Sequence, residues 1–522
     1  MMLSPAQGLS VLALTLTPLA AATAVASDQS LIDQYCSGCH QASDESGSWS
    51  RISQQRKTPE GWDMTVARMQ VMHGLELPND ARRDIVKYLA DTRGLAPEES
   101  ETQRALIERR LNRIESFDHP IYQEMCARCH TGGRAQLQRR SQGEWEHLVN
   151  FHIGQFQTTE YQSMARDRDW FGVALDEIVP WLAETQGLTS EAWEAWQQAE
   201  PHEPEGEWQL WGHWPGEGDF YADVSVVAAE GEDAYRVALD GAFTDGRRLD
   251  GEGQAVVYTG YEWRARLTLN GRDFKQVLDL SREHPGGRIF DDHDDALGMQ
   301  VTMLPQEAQA ANLVASLPAS LKAGERRRLV LLGHGLDKGE IDLGEHVTLR
   351  RVVERSAHRL VMDVEADSLL PTGWLPVTVG ESSADALLAG YRQVDRLEVS
   401  PALGVARIGN DKTPPVSGVF TAAGYTQMGD ETLPLGQVPV RWDVAPWDDI
   451  AERDEDVKFA GVMDAATGVF SPAGAGPNPQ RQYNANSVGN LRVTAAVEGQ
   501  PEIQDEAQLI VTVQRWNNPP LR

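Results

Sequence analysis

Cys36-Ser37-Gly38-Cys39-His40 and Cys126-Ala127-Arg128-Cys129-His130 decide how this chain is read, because between them they use all four of its cysteines. Cys-x-x-Cys-His is the spacing by which haem is attached covalently. Each thiol adds to a vinyl group, and the adjacent histidine turns in as an axial iron ligand. One such pentad can arise by chance. Two, with no cysteine left over, predict two haem c groups, one on Cys36 and Cys39 and one on Cys126 and Cys129, with His40 and His130 as iron ligands. A structural zinc site built on paired Cys-x-x-Cys motifs would leave both histidines without a task. A thioredoxin-like couple needs a single pair inside an α/β unit that the sequence does not display. Disulfides are a third reading, because the chain carries an export signal.

Working outward, the pentads sit in an imperfect internal repeat. The first is followed by Trp62 and then Tyr88-Leu89-Ala90-Asp91-Thr92-Arg93-Gly94-Leu95. The second is followed by Trp145 and then Trp181-Leu182-Ala183-Glu184-Thr185-Gln186-Gly187-Leu188. Both octads read as helix ends with glycine at the C′ position. Ile85, Val86 and Leu89 mark one helical face in the first. The repeat predicts an all-α dihaem cytochrome c domain over residues 27–200, with lobes of about 27–110 and 111–200. Seven residues beyond the paired tryptophans stand Met69 and His152. Read without a gap, the first iron is held by His40 and Met69 and the second by His130 and His152. A one-turn insertion would instead align His73 with His152, and Met72 lies between these choices; His147 is the neighbouring alternative to His152. Methionine ligation raises an iron's potential relative to two imidazoles, so unequal lobes would give electrons a preferred direction.

Residues 8–22 are an apolar run ending at Ala24-Val25-Ala26, an A-x-A type cleavage site, although no Lys or Arg precedes the run. The run is too short for a comfortable membrane span. A signal peptide over 1–26 and a periplasmic protein mature from about Ser27 are therefore expected. The chain's 522 residues exceed what one core organises, so several domains follow. A formal net charge of −31 argues against nucleic acid or an anionic membrane as partner. It suits docking to a basic patch on another electron carrier, and equally a solvated acidic surface.

From about Glu203 the texture changes to alternating apolar runs broken by Gly, Asp and Pro. Tyr221–Val226, Gln254–Tyr258 and Arg264–Leu269 read as antiparallel strands of a barrel or sandwich over residues 201–306. Tryptophans 208, 211, 214 and 263 are expected to fill its core. A second β domain is assigned to 307–392, with Leu317–Gly324, Leu329–Leu336, Val347–Leu349 and Leu360–Met362. A third, 393–522, starts at Leu397–Pro401 and closes with Leu509–Val513. Short strands at turn-punctuated spacing predict immunoglobulin-like sandwiches for both. His284 with Asp291-Asp292-His293-Asp294-Asp295 is a candidate cation site whose spacing is not that of an EF-hand. Gly333-His334-Gly335 reads as a turn. No catalytic motif appears in this half.

The lobes and the three β domains together resemble the α subunit of quinohaemoprotein amine dehydrogenase, over essentially the whole mature chain. The resemblance is carried by the two pentads, by Arg68-Met69-Gln70-Val71-Met72-His73-Gly74, by Glu144-Trp145-Glu146-His147-Leu148-Val149-Asn150-Phe151-His152 and by Ala165-Arg166-Asp167-Arg168-Asp169-Trp170. It implies a heterotrimer with a β-propeller subunit and a small subunit carrying cysteine tryptophylquinone. It also implies oxidation of primary amines to aldehydes and delivery of electrons through the haems to a blue copper protein or a cytochrome c. A cysteine-linked quinone needs a thiol, and all four here are claimed by haem. The quinone therefore belongs to a partner, and no catalytic residue is expected in this chain. Two other readings compete: a stand-alone dihaem enzyme such as a peroxidase, with an open iron position, and a surface binding protein whose haems are incidental.

Overall fold

The computed structural model describes residues 21–43, 48–110, 112–128, 130–155, 167–307, 310–410, 413–482 and 484–513, with no side chains described for 21–28. Cys129 lies outside the described residues, and so does most of the expected signal peptide. Among the described residues no helix is long and apolar enough to cross a membrane. The chain divides into two compact units, residues 1–94 and 95–522.

The first unit contains helices α1 (Ala21–Cys36), α2 (Pro59–His73) and α3 (Asn79–Thr92), with a three-residue strand, Gln55–Lys57. The Thr58 hydroxyl accepts from the Gly61 amide at 3.2 Å, Pro59 occupies the first turn, and Gly74 ends α2 at φ 71°. Those are the start and stop signals expected of a helix. Trp62 and Val66 of α2 and Ile85, Val86 and Leu89 of α3 are buried.

The second unit opens with the short helices Pro97–Glu101 and Arg104–Ile107, followed by α4 (Pro120–Met125), the strand Gln138–Arg140 and α5 (Gln142–Gln155). Then α6 (Trp170–Val173), a π turn Ala174–Ile178 and α7 (Val179–Thr185) follow without a break. Pro180 lacks the N–H that a regular helical ladder requires, and the widened turn lies directly before it. The N-terminal region is thus helical with two short extended segments.

Strands β1 (Gly206–Trp214), β2 (Gly218–Ala228), β3 (Ala234–Phe243), β4 (Arg248–Tyr258), β5 (Glu262–Leu269), β6 (Arg272–Asp279), β7 (Gly286–Asp291) and β8 (Gly298–Pro305) form a closed antiparallel barrel in sequence order. Closure is made by β8 on β1, from Gln300 opposite His213 to Pro305 opposite Trp208. Tight coiling brings backbones together: a β-carbon on Gly241 or Gly253 would lie 2.1 Å from the carbonyl oxygen of Tyr221 or Arg266. Trp263 lies in the interior, with Trp208 and Trp214 packed against it. Trp211 does not. Side chains on a strand alternate between faces, and Trp211 points outward, against Tyr221, Leu317, Val330, Leu332 and Val361 at the junction with the next domain.

That domain is two four-stranded sheets around one core. One has the order Asn312–Leu317, Arg326–His334, Arg359–Ala366, Val347–Arg355; the other Ser320–Lys322, Ser382–Tyr391, Gly373–Val379, Ile341–Asp342. Leu329, Leu331, Met362, Val364, Val377 and Leu388 meet between them. Gly333 and His334 belong to a strand, and the chain turns only at Gly335, φ 72°. The last domain contains sheets of three, four and three strands, with Arg396–Ser400 opening it and the long strand Gln500–Val513 closing it.

Candidate functional site

Both pentads follow the end of a helix. In the first lobe α1 ends at Cys36, and the amides of Cys39 and His40 donate to the Cys36 carbonyl at 3.1 and 2.9 Å. In the second, Cys126 caps α4 and its amide donates to the Tyr122 carbonyl at 2.8 Å. Burial, reinforced by Cys39, pushes the Cys36 thiol up to about 11, so it stays protonated at neutral pH.

The internal repeat is present in the hydrogen bonds of each lobe. The fully buried Trp62 indole donates to the Arg93 carbonyl at 2.9 Å, and the fully buried Trp145 indole donates to the Gln186 carbonyl at 3.2 Å. Lys57 lies over the Trp62 ring and Arg140 over the Trp145 ring. The Thr92 and Thr185 hydroxyls both donate one turn back, to the carbonyls of Tyr88 and Trp181. Neither Gly94 nor Gly187 has positive φ. Gly187 is needed for close approach instead, since a β-carbon there would sit 2.9 Å from the Ala183 carbonyl. Matching the tryptophans sets Met69 and His152 at the same place on equivalent helices. Met69 is half-buried, whereas Met72 and His73 are exposed.

In the second lobe the tertiary structure brings the His130 and His152 rings together, with ring centres 6.3 Å apart and planes 29° from parallel. Two imidazoles bonded through Nε2 to opposite sides of one transition metal, each at about 2 Å, have ring centres roughly 6 Å apart. The remaining nitrogen of each ring is tied to backbone. His130 Nδ1 donates to the Thr131 carbonyl at 2.9 Å, and His152 Nδ1 donates to the Leu148 carbonyl at 2.8 Å. A carbonyl can only accept, so both Nδ1 atoms carry the proton and both Nε2 atoms are the basic ones. His40 is set up in the same way, with Nδ1 on the Ser50 carbonyl at 2.9 Å. The donor set therefore fits iron porphyrin ligation: oriented imidazoles in the ligating tautomer beside vinyl-reactive thiols.

Further groups hold the second site that local sequence does not flag. The Glu115 carboxylate accepts from the Thr131 hydroxyl and from the amides of Gly132 and Gly133, the latter two at 2.9 Å, fixing the turn after His130. Tyr122, fully buried, donates to the Gly132 carbonyl at 2.5 Å and packs on Phe117 and Trp181. Burial raises its phenol far above the usual range, so it acts here only as a donor. Thr131 and Leu148 here, and Ser50 in the first lobe, contribute backbone carbonyls, which carry no side-chain signature at all.

The carboxylates of the acidic loop are engaged by neighbouring cations and backbone amides. Asp291 accepts from the amides of His293 and Asp294 and pairs with Arg272; Asp292 pairs with Lys275, Asp294 accepts from the Ser417 amide, and Asp295 pairs with Arg109. Among the described residues no three His, Cys, Asp or Glu side chains gather as metal ligands would.

Sequence-family comparison matches residues 26–193 to "Quinohemoprotein amine dehydrogenase A, alpha subunit, haem binding". Residues 201–305, 310–392 and 397–521 match domains II, III and IV of the same alpha subunit. No curated protein sequence matches. Among solved structures, a redesigned β-barrel is 16% identical, covering 20% of this chain and 91% of its own, with TM-score 0.17. The Yersinia pseudotuberculosis adhesin InvE is 13% identical, covering 40% of this chain and 62% of its own, with TM-score 0.14.

Proposed function

Because this chain belongs to the family of quinohaemoprotein amine dehydrogenase α subunits, we propose that it is the dihaem, electron-transferring subunit of a periplasmic amine-oxidising complex. The family is the haem-binding part of a multi-subunit oxidoreductase. The observation that carries the finer reading is the His130–His152 ring pair with both Nδ1 atoms spent on carbonyls. In this reading residues 27–200 are the dihaem domain, Cys36, Cys39, Cys126 and Cys129 attach the two porphyrins, and His40 and His130 are the proximal ligands. His152 is the distal ligand of the second site and Met69 that of the first. When bound, the two iron porphyrins supply one-electron redox chemistry. The protein's part is to orient the imidazoles, hold the ring proton on Nδ1 and pack the second attachment helix in one core with Trp145. The quinone resides on a small partner subunit beside a β-propeller, and a blue copper protein or cytochrome c takes the electrons. The barrel and the two β domains, immunoglobulin-like in this reading, serve as scaffold and docking surface.

The test is to purify the native complex, add a primary amine anaerobically and follow the haem bands. Rapid reduction, with a small quinone-staining subunit co-purifying, is the expected result. An intact, chemically reducible dihaem protein that amine leaves oxidised would overturn the assignment.

Met69→Ala is expected to abolish the sulfur-to-iron charge-transfer band of the oxidised protein. Methionine ligation raises iron potential relative to two imidazoles, so the first site's potential should fall if a nitrogen ligand replaces the sulfur. Persistence of the band would transfer the role to Met72, and its absence from the parent protein would favour His73.

A further inference from the structure

The two lobes match at their helix ends but not in length between them. Trp62 and Arg93 are 31 positions apart, whereas Trp145 and Gln186 are 41 apart, so the second lobe carries an insertion. It falls between α5, which ends at Gln155, and α6, which begins at Trp170, whereas in the first lobe α2 ends at His73 and α3 begins at Asn79. Its final residues, Asp167-Arg168-Asp169-Trp170, reach back to both sides of the His130–His152 pair. Asp167 pairs with Arg128, inside the second pentad, at 3.2 Å, and with Arg168 at 3.0 Å. Arg168 pairs in turn with Glu124 of α4 at 2.9 Å. Asp169 accepts from the Gly172 amide and so caps the helix that Trp170 begins. The Trp170 ring lies 5.9 Å from the His152 ring, tilted by 46°.

From this juxtaposition we propose that Asp167–Trp170 is a clasp. It fastens the segment that bears the proximal histidine, through Glu124 and Arg128, to a tryptophan that backs the distal histidine. The clasp keeps His152 opposite His130 and so keeps small external ligands away from the second site. It rests on the assignment of His130 and His152 as iron ligands. Asp167, Arg168 and Glu124 are substantially exposed, and exposed ion pairs contribute little individually. The network's role is therefore geometric, and the ring contact is the stronger element. Trp170, Asp167 and Arg168 are positioning residues that act through His152.

The test uses the full-length holoprotein, reduced, with carbon monoxide as probe. Trp170→Ala is expected to raise carbon monoxide binding at the second site by about tenfold or more, the scale of outer-shell effects on metal sites. Asp167→Ala should do so to a smaller extent. Trp170→Phe should restore exclusion, because it keeps a ring against the imidazole. The ferric low-spin spectrum of the second site should shift in Trp170→Ala while that of the first is unchanged. His152→Ala is run alongside. If it binds carbon monoxide while both clasp variants exclude it as the parent does, the clasp is overturned and the ligand assignment stands. If His152→Ala itself behaves as the parent, both fall. Should Trp170→Ala fail to accumulate, Asp167→Ala and Trp170→Phe decide on the same readouts.

Discussion

His152→Ala removes the low-spin signature of one haem and leaves the other intact. The expectation follows from the tertiary pairing rather than from histidine content. His152 is one α-helical turn beyond Leu148, whose carbonyl accepts from its Nδ1, and its ring centre lies 6.3 Å from that of His130. Alanine deletes the only imidazole brought opposite His130 among the described residues. Half of the low-spin absorbance should be lost, and the affected site should become high-spin and open to added imidazole. Addition of free imidazole should then restore the low-spin spectrum, which separates loss of a ligand from loss of the fold. An unchanged spectrum would remove His152 from the site and leave His147 as the candidate. The same experiment bears on the peroxidase alternative. That reading requires an open iron position in the resting protein, whereas an intact His130–His152 pair closes both faces of this site.

Glu262→Gln is expected to destabilise the second unit by about 3–5 kcal/mol, the cost of leaving a buried charge without its partner. Glu262 is 2% exposed, and Arg104, 3% exposed, reaches it with NH1 at 3.0 and 2.9 Å from its two carboxylate oxygens. Arg264 adds a third contact at 2.7 Å. Arg104 belongs to the opening segment of the second unit, and that segment is fastened to the barrel. The Tyr261 hydroxyl meets Ser100 at 3.0 Å and the Leu95 carbonyl at 3.2 Å, while Leu95 and Ile107 pack with Val277 and Phe290. Removing the carboxylate thus takes from the buried Arg104 guanidinium its bidentate partner and leaves it the longer contact to Glu108, at 3.4 Å. Chemical unfolding followed by tryptophan fluorescence measures the effect, and a loss below about 1 kcal/mol would mean that the pair is no stronger than a surface one. The double replacement of Arg104 and Glu262 by methionine should cost less than the two single removals added together, because the pair is deleted as a unit, although Glu108 and Arg264 each lose a contact.

The same pair sets a pH dependence. Burial alone would raise the Glu262 carboxyl, but the flanking Arg264 and Arg104 overcome it and hold the group below its ordinary value of 4.5. A depressed carboxylate stabilises the fold above its unfolded pKa, and that stabilisation is lost as pH falls through the folded value. Acid should therefore weaken the parent, and Glu262→Gln should lack this part of the acid response.

The two Cys-x-x-Cys-His pentads are legible in the sequence because the chemistry they encode is local. Two thiols and an imidazole within five residues need no long-range contact to be recognised. The lobe repeat was legible for a similar reason: Trp62 and Trp145, and the helix ends that they bond, are local patterns that recur in order. The strand runs of the β half were legible as alternation, but alternation is the same in a barrel and in a sandwich. Only the pairing of Gly298–Pro305 with Gly206–Trp214 closes the barrel, and those partners are distant in the chain. Trp211 was misplaced for the same reason. Composition says that a tryptophan will be buried, while register decides on which side of the sheet.

What the sequence determined by itself was the pair of pentads, the repeat and the position of Met69 and His152 relative to their tryptophans, since each is written in spacings shorter than a helix. The tertiary structure alone decided that the His152 and His130 rings come together, that carbonyls of Thr131 and Leu148 fix both tautomers, and that Glu115 and Asp167–Trp170 close around the pair. Those contacts join segments separated by loops or made by backbone atoms. Backbone carbonyls are common to every residue, so no side-chain pattern could have announced them.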